Sequence, residues 1–205
     1  MPAVATQFSI RLARWEDIPT LAALIPLSVR GLQAPWYSAA QIEASLGTAF
    51  DVDRQLIRDG TYFVAEEQPK APDSSIIGCG GWSRRLAVCG GDHGRSAAEG
   101  EEDEETRTLD PAHDPARIRA FFVHPAWARR GVGRAILGAC EAALCAAGFH
   151  DAMLVATLAG EPLYAACGYV ATERYELPLT DRLTLPVVRM TKQFAPAAFR
   201  SPAAE

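Results

Sequence analysis

One stretch constrains this chain more than any other: residues 118–133, IRAFFVHPAWARRGVG, with the alanine-rich run behind them. IRAFFV is short, apolar and rich in strand formers, His124 and Pro125 close it, and RRGVGR opens a segment of helical period. A buried strand therefore passes through a glycine turn into a helix. Gly131 and Gly133, one residue apart, let the backbone bend tightly and turn successive N–H groups toward one point. The helix adds its unpaired first-turn N–H groups and the positive end of its dipole. Arg129, Arg130 and Arg134 place three positive charges within six residues of this turn, so the ligand it suggests is a phosphate ester. The bland alternative is a strand-to-helix turn whose arginines are merely solvated.

At 205 residues the chain fits one domain with a sizeable core, and 49% hydrophobic against 22% charged residues is an ordinary globular balance. No apolar run reaches membrane-spanning length, and the start MPAVATQFSIRLARWED lacks a basic region followed by an apolar core. The expectation is a cytoplasmic protein with no membrane contact. The five cysteines, Cys79, Cys89, Cys140, Cys145 and Cys167, are odd in number and have no metal spacing, so they read as reduced thiols. Of the net charge of −5, six acidic side chains fall between Glu99 and Glu105, and the remainder is nearly neutral, without a nucleic-acid signature.

Along the chain, Phe8 to Leu12 reads as a strand and Trp15 to Arg30 as a helix, with Asp17 as cap, Pro19 in its first turn and Pro26 marking a kink or early stop. Ser38 caps a short helix through Leu46, and Phe50 to Asp59 reads as another. Trp36 and Tyr37, in the loop between helices, are candidates for a pocket mouth or for a sealed helix junction. Thr61 to Glu66 and Ile76 to Trp82 form a hairpin whose second strand ends in GCGGWSRR, where three glycines call for a bulge or a close ligand. Trp82 and its neighbours Ser83, Arg84 and Arg85 are candidates for shaping a second substrate's site. Residues 87–116 read as a long acidic insertion, mobile at least in part. A helix from Arg134 to Ala147 ends at Gly148, and Ala152 to Thr157 is the next strand, so the pair forms a βαβ crossover with parallel strands. Glu161 to Cys167 is a short helix, and Tyr169 to Tyr175 and Leu183 to Met190 are closing strands around an LPLTDR turn, with Pro186 calling for a bulge or an edge. The tail 194–205 reads as frayed.

A phosphate cradle, a βαβ unit and a tyrosine-bearing short helix together resemble the GNAT superfamily, the GCN5-related N-acetyltransferases. The resemblance covers roughly Phe8 to Lys192: FFVHPAWARRGVGRAIL looks like the family's acyl-CoA motif and EPLYAACGY like its FYxxxGF segment. It departs at Ala128, where Gln or Arg is customary, at Thr157, where many members carry Asn, and at Gly160 in place of Ala. The resemblance implies an α/β (α+β) fold: a mixed central sheet of six to seven strands with flanking helices and splayed central parallel strands, in a single domain over residues 1–193.

It also implies acetyl-CoA as cofactor, with the pyrophosphate over Arg129, Arg130, Gly131, Val132, Gly133 and Arg134 and the pantetheine arm paired to Phe122 and Val123. The Val123 N–H is then the expected oxyanion donor. Tyr164 resembles the family's general acid toward the departing thiolate. The base is not identified, with His124, Glu66 and Glu161 as candidates or water in their place. The acceptor implied is the primary amine of a small molecule or peptide, with Trp36, Tyr37 and Trp82 near it. Acetylation of a protein N-terminus or lysine is an alternative, and a non-catalytic acyl-CoA sensor is an alternative of another class. A homodimer is a family expectation.

Overall fold

A computed structural model describes residues 8–68, 75–86 and 108–194. Most of the acidic insertion, up to residue 107, and the tail from 195 lie outside the described residues. In chain order come β1 (Phe8–Leu12), α1 (Ile18–Gln33), α2 (Ala39–Ser45), α3 (Arg54–Arg58), β2 (Tyr62–Glu67), β3 (Ile76–Ser83), β4 (Ala116–Val123), α4 (Val132–Ala146), β5 (Asp151–Thr157), α5 (Glu161–Ala166), β6 (Val170–Thr180) and β7 (Leu183–Gln193). The strands make one sheet in the order β1-β2-β3-β4-β5-β7-β6, antiparallel except for the β4–β5 pair. This is the mixed α/β sheet that the resemblance implied, with the parallel pair that the crossover predicted.

The two faces of the sheet carry different cores. Ile136, Leu137, Cys140 and Leu144 of α4 recur at three- and four-residue spacing and pack with Ile77, Ile118, Leu154 and Met190 on one face. Leu21, Leu24, Ile25 and Val29 of α1 bury the other face with Tyr62, Val64, Phe122 and Val187. That packing explains why α1 does not stop at Pro26 but continues to Gln33. A mid-helix proline costs about 3 kcal/mol, and full burial of each flanking aliphatic side chain returns roughly 1.5–3 kcal/mol. Asp17 does not cap α1 through its side chain; its carboxylate instead accepts the Arg14 N–H at 2.7 Å and pairs with Arg11 at 2.7 Å.

Two other expectations are revised. The helix expected from Phe50 shrinks to α3, because Asp53 accepts the Leu56 N–H at 3.0 Å and so starts the helix later, freeing Phe50 and Asp51 to run along the sheet face. The closing strands run longer than expected, leaving only Asp181 and Arg182 in the turn. Pro186 is tolerated inside β7 because the ladder to β5 ends at Val187, so no strand partner needs its missing N–H on that side.

The GCGG run is accounted for by a bulge in the neighbouring strand. Ala120 has φ +59, and the register between β3 and β4 slips there, so Arg119 and Ala120 both turn toward the α1 face while Phe121 turns toward α4. The Phe121 ring then occupies the space a side chain at Gly80 would need: a Cβ there would stand 2.6 Å from it.

Candidate active site

The bulge also decides where β4 and β5 part. They pair only from Ala116–Ala152 to Ile118–Leu154, and beyond that point their edges diverge. A cavity of about 700 Å³ fills the fork. Ala120 to Val123 form one wall and Val155, Thr157 and Gly160 the other. Each diverging edge carries backbone amide groups that need partners once covered, which suits an extended ligand with amides of its own.

At the β4 end the chain turns into α4. Arg129 has φ +63 and Gly131, at the cap position of α4, has φ +87; no side chain caps the helix. The first-turn N–H groups therefore face outward, and Gly131, Val132 and Gly133 all line the cavity. A Cβ on Gly131 would meet nothing within 4 Å, whereas one on Gly133 would stand 2.9 Å from Leu163 of α5. Arg129 and Arg134 line the cavity beside these amides. Arg130 lies instead over the Trp127 ring at 5.1 Å. The result is an anion cradle at the mouth of an amide-lined fork. A model of the acetyltransferase (GNAT) domain matches residues 58–171, more than half of the chain.

The chain belongs to the GNAT family.

Solved GNAT structures carry the same fold at low identity. A GCN5-related N-acetyltransferase from Rhodopseudomonas palustris superposes with a TM-score of 0.65 at 22% identity, over 93% of this chain and 98% of that one. The PaiA N-acetyltransferase of Thermoplasma acidophilum, solved with coenzyme A, gives 0.58 at 15% identity over 92% and 100%. The ribosomal-protein-S18-alanine N-acetyltransferase of Escherichia coli gives 0.53 at 14% over 95% and 98%. No curated protein matches the chain. Family membership makes this an acyl-CoA-dependent acetyltransferase with acetyl-CoA as donor. The residues present fit that group: uncapped amides and two arginines for the phosphates, and diverging strand edges for the pantetheine amides.

The residues expected at the site are distributed unevenly around it. Tyr164 is buried, lines the cavity, and stacks edge-on against Phe121 at 6.0 Å and Tyr169 at 5.9 Å. Burial raises its phenol above the ordinary range, so it stays protonated and can donate toward sulfur at any pH the fold tolerates. Thr157, standing where many members have Asn, accepts the Gly160 N–H at 3.2 Å and shapes the turn into α5. The Val123 N–H does not face the cavity unclaimed: it donates to Ser28 Oγ at 3.0 Å. Phe122 lines the cavity with its ring edge-on to Phe50, another lining residue, at 5.8 Å.

Five residue expectations are revised. His124 does not line the cavity; its Nδ1 accepts the Ala126 N–H at 3.2 Å and caps the turn that follows β4. Tyr37 takes the sealed-junction reading and not the pocket-mouth one: it is a buried bolt, donating to the Pro186 carbonyl at 2.8 Å and accepting the Leu158 N–H at 2.8 Å. Trp82 lies in the α4 core against Phe149 at 5.8 Å, on the strand turned away from the fork. Glu66 pairs with Arg11 and Glu161 with Arg174, and neither lines the cavity. Trp36 does line it, half exposed.

Sequence reasoning missed Ser28, Gln33 and Asp51, which also line the cavity. Ser28 sits on a helix read only for its apolar face, Gln33 lies beyond the Arg30 end expected for that helix, and Asp51 falls in the expected Phe50 to Asp59 helix, whose observed start is later. Asp51 is the one carboxylate on the cavity wall among the described residues.

For Tyr164→Phe we expect kcat to fall about tenfold to a hundredfold with acetyl-CoA affinity little changed, the loss of a hydrogen bond to a developing thiolate. Because deprotonation would remove the donor and burial raises the pKa, no alkaline limb owed to Tyr164 should appear below about pH 10. A pH–rate profile of both proteins, followed by thiol release, checks each point. An unchanged kcat in the phenylalanine variant removes Tyr164 from the chemistry.

Proposed function

We propose that the enzyme acetylates the primary amine of a small molecule. The supporting observation is the way the acceptor end of the cavity is shut. The segment joining α1 to α2 is fastened to β7 by Tyr37 on the Pro186 carbonyl and by Gln41 Nε2 on the Thr184 carbonyl at 2.8 Å, and to the β5–α5 turn through Leu158. A main chain crossing between that segment and β7 would have to break these bonds, whereas a compact ligand fits the volume behind them.

The walls there are Leu32, Trp36, Phe50, Leu177 and Leu185, with two polar groups set among them. Asp51 offers a negative charge to an approaching ammonium group. Gln33 is buried, and its Oε1 has no hydrogen-bond partner among the described residues, so it is an acceptor kept for an N–H donor. An amine with an apolar or aromatic body matches this lining. Asp51 is also the candidate to take the ammonium proton, directly or through water, because it lines the cavity whereas His124, Glu66 and Glu161 do not.

The test is a panel of polyamines, aralkylamines, aminoglycosides and amino acids against peptides with free N-termini or lysines, with free CoA thiol recorded. We expect a small amine to exceed every peptide in kcat/KM by about a hundredfold. A peptide turned over faster than all small amines would transfer the assignment to protein acetylation. Acetyl-CoA binding without turnover of any acceptor would support a sensor. Tyr37→Phe removes two of the fastening bonds, worth about 1 kcal/mol each, and should narrow the preference for small amines about tenfold. A cytoplasmic homodimer remains part of this reading, checked by light scattering of the purified protein.

A further inference from the structure

Ser28 sits midway along α1, is buried, and forms part of the cavity wall. Its neighbour across the gap is the last residue of β4. His124 N–H turns toward β3, donating to the Ile77 carbonyl at 2.8 Å, so the Val123 N–H one residue earlier turns the other way, into the fork. There it donates to Ser28 Oγ at 3.0 Å. A helical serine ordinarily returns its own proton to a carbonyl of the preceding turn, as Ser45 does to Ile42 at 2.7 Å. Ser28 makes no such bond, and among the described residues nothing accepts its proton.

A hydroxyl that already accepts from an amide is polarised into a stronger donor. Buried beside the diverging strands with that donor unspent, it is set up to serve an oxygen that arrives with a ligand. We propose that Ser28 is a catalytic residue, its hydroxyl and not the Val123 N–H donating to the thioester carbonyl oxygen of acetyl-CoA. This rests on reading the cavity as the acetyl-CoA site. The amine lone pair forms the C–N bond while the carbonyl π pair moves onto oxygen, where the Ser28 O–H meets the new charge. That pair then re-forms the carbonyl as the C–S bond breaks with its electrons on sulfur. The nitrogen gives one proton to solvent, and the sulfur gains one from Tyr164, which solvent restores, so no net proton is taken up. Amine and thioester become amide and thiol, and Ser28 keeps its proton throughout. The Val123 N–H acts one step removed, by orienting and polarising the hydroxyl.

The two possible donors predict opposite results for Ser28→Ala, which frees the Val123 N–H. The experiment compares wild type, Ser28→Ala and Ser28→Thr in two readouts. One is the infrared carbonyl stretch of bound acetyl-CoA carrying ¹³C in the thioester carbonyl, which needs no acceptor. The other is kcat and KM with the best amine of the panel. We expect a downshifted carbonyl in wild type and the threonine variant and loss of most of the downshift in the alanine variant. Its kcat should fall about a hundredfold, with CoA affinity and KM for acetyl-CoA within about twofold. An alanine variant with wild-type kcat and carbonyl frequency would overturn the proposal in favour of Val123. A fall in CoA affinity and melting temperature with an unshifted carbonyl would assign Ser28 to packing and overturn it as well. Wild-type protein that binds no acetyl-CoA would instead overturn the cavity assignment, and the proposal with it.

Discussion

Gly131→Glu is expected to abolish acetyl-CoA binding. Gly131 stands at the cap position of α4 with φ +87, and a Cβ built there points into open space among the cradle amides. A glutamate would project its carboxylate where the pyrophosphate is to lie. Two unit charges of like sign about 4 Å apart repel by roughly 4 kcal/mol at the effective dielectric of a protein surface, on the order of a thousandfold in affinity. The left-handed backbone adds a second cost of about 1–2 kcal/mol for any side chain, which falls on the fold whether or not ligand is bound. Gly131→Ala separates the two effects: it should melt lower but bind within about tenfold of wild type. Calorimetric titration with CoA reads both variants. A glutamate variant that binds like wild type would place the phosphate site elsewhere.

Asp53→Asn should lower stability by about 3–5 kcal/mol. Asp53 and Arg119 form an ion pair at 2.9 Å, with side chains only 3% and 6% exposed. Asparagine keeps an oxygen to cap α3 but leaves the guanidinium buried without its counter-charge, the costly way to break such a pair. For a chain of this size the melting temperature should drop by roughly 10 °C. Replacing both partners, as Asp53→Leu with Arg119→Met, should recover most of the loss, because neither charge then has to be desolvated. The pair bears on the site as well as on the fold, since Arg119 immediately precedes the bulge at Ala120 from which the fork opens. Thermal unfolding of the single and double variants checks this. A single variant as stable as wild type would mean that water reaches the pair.

The donor half of the site was legible because its chemistry is local. A phosphate cradle is made by consecutive backbone amides, and glycines at 131 and 133 after an apolar strand announce it in six letters. The tyrosine of α5 was named differently, through the resemblance of EPLYAACGY to the family's FYxxxGF segment, with Gly168 four residues on. The proposed acceptor half draws on α1, the segment before α3 and the closing strands, which have no shared motif. Tyr37 and Trp82 show the limit. Both are aromatics near chain breaks, yet one became a bolt because its hydroxyl meets the Pro186 carbonyl and the other joined the α4 core because strand alternation turns it inward.

The sequence by itself determined the strand–turn–helix and the crossover, which short-range periodicity and backbone freedom carry, and its two motifs carried the resemblance from which the family and the acetyl-CoA donor followed. Only the tertiary structure decided that the bulge at Ala120 splits the sheet, that α1 brings Ser28 to the Val123 N–H, and that the α1–α2 segment is fastened to β7. The last two depend on hydrogen bonds between residues 95 and 149 positions apart, and no local pattern along a chain encodes a partner at that distance.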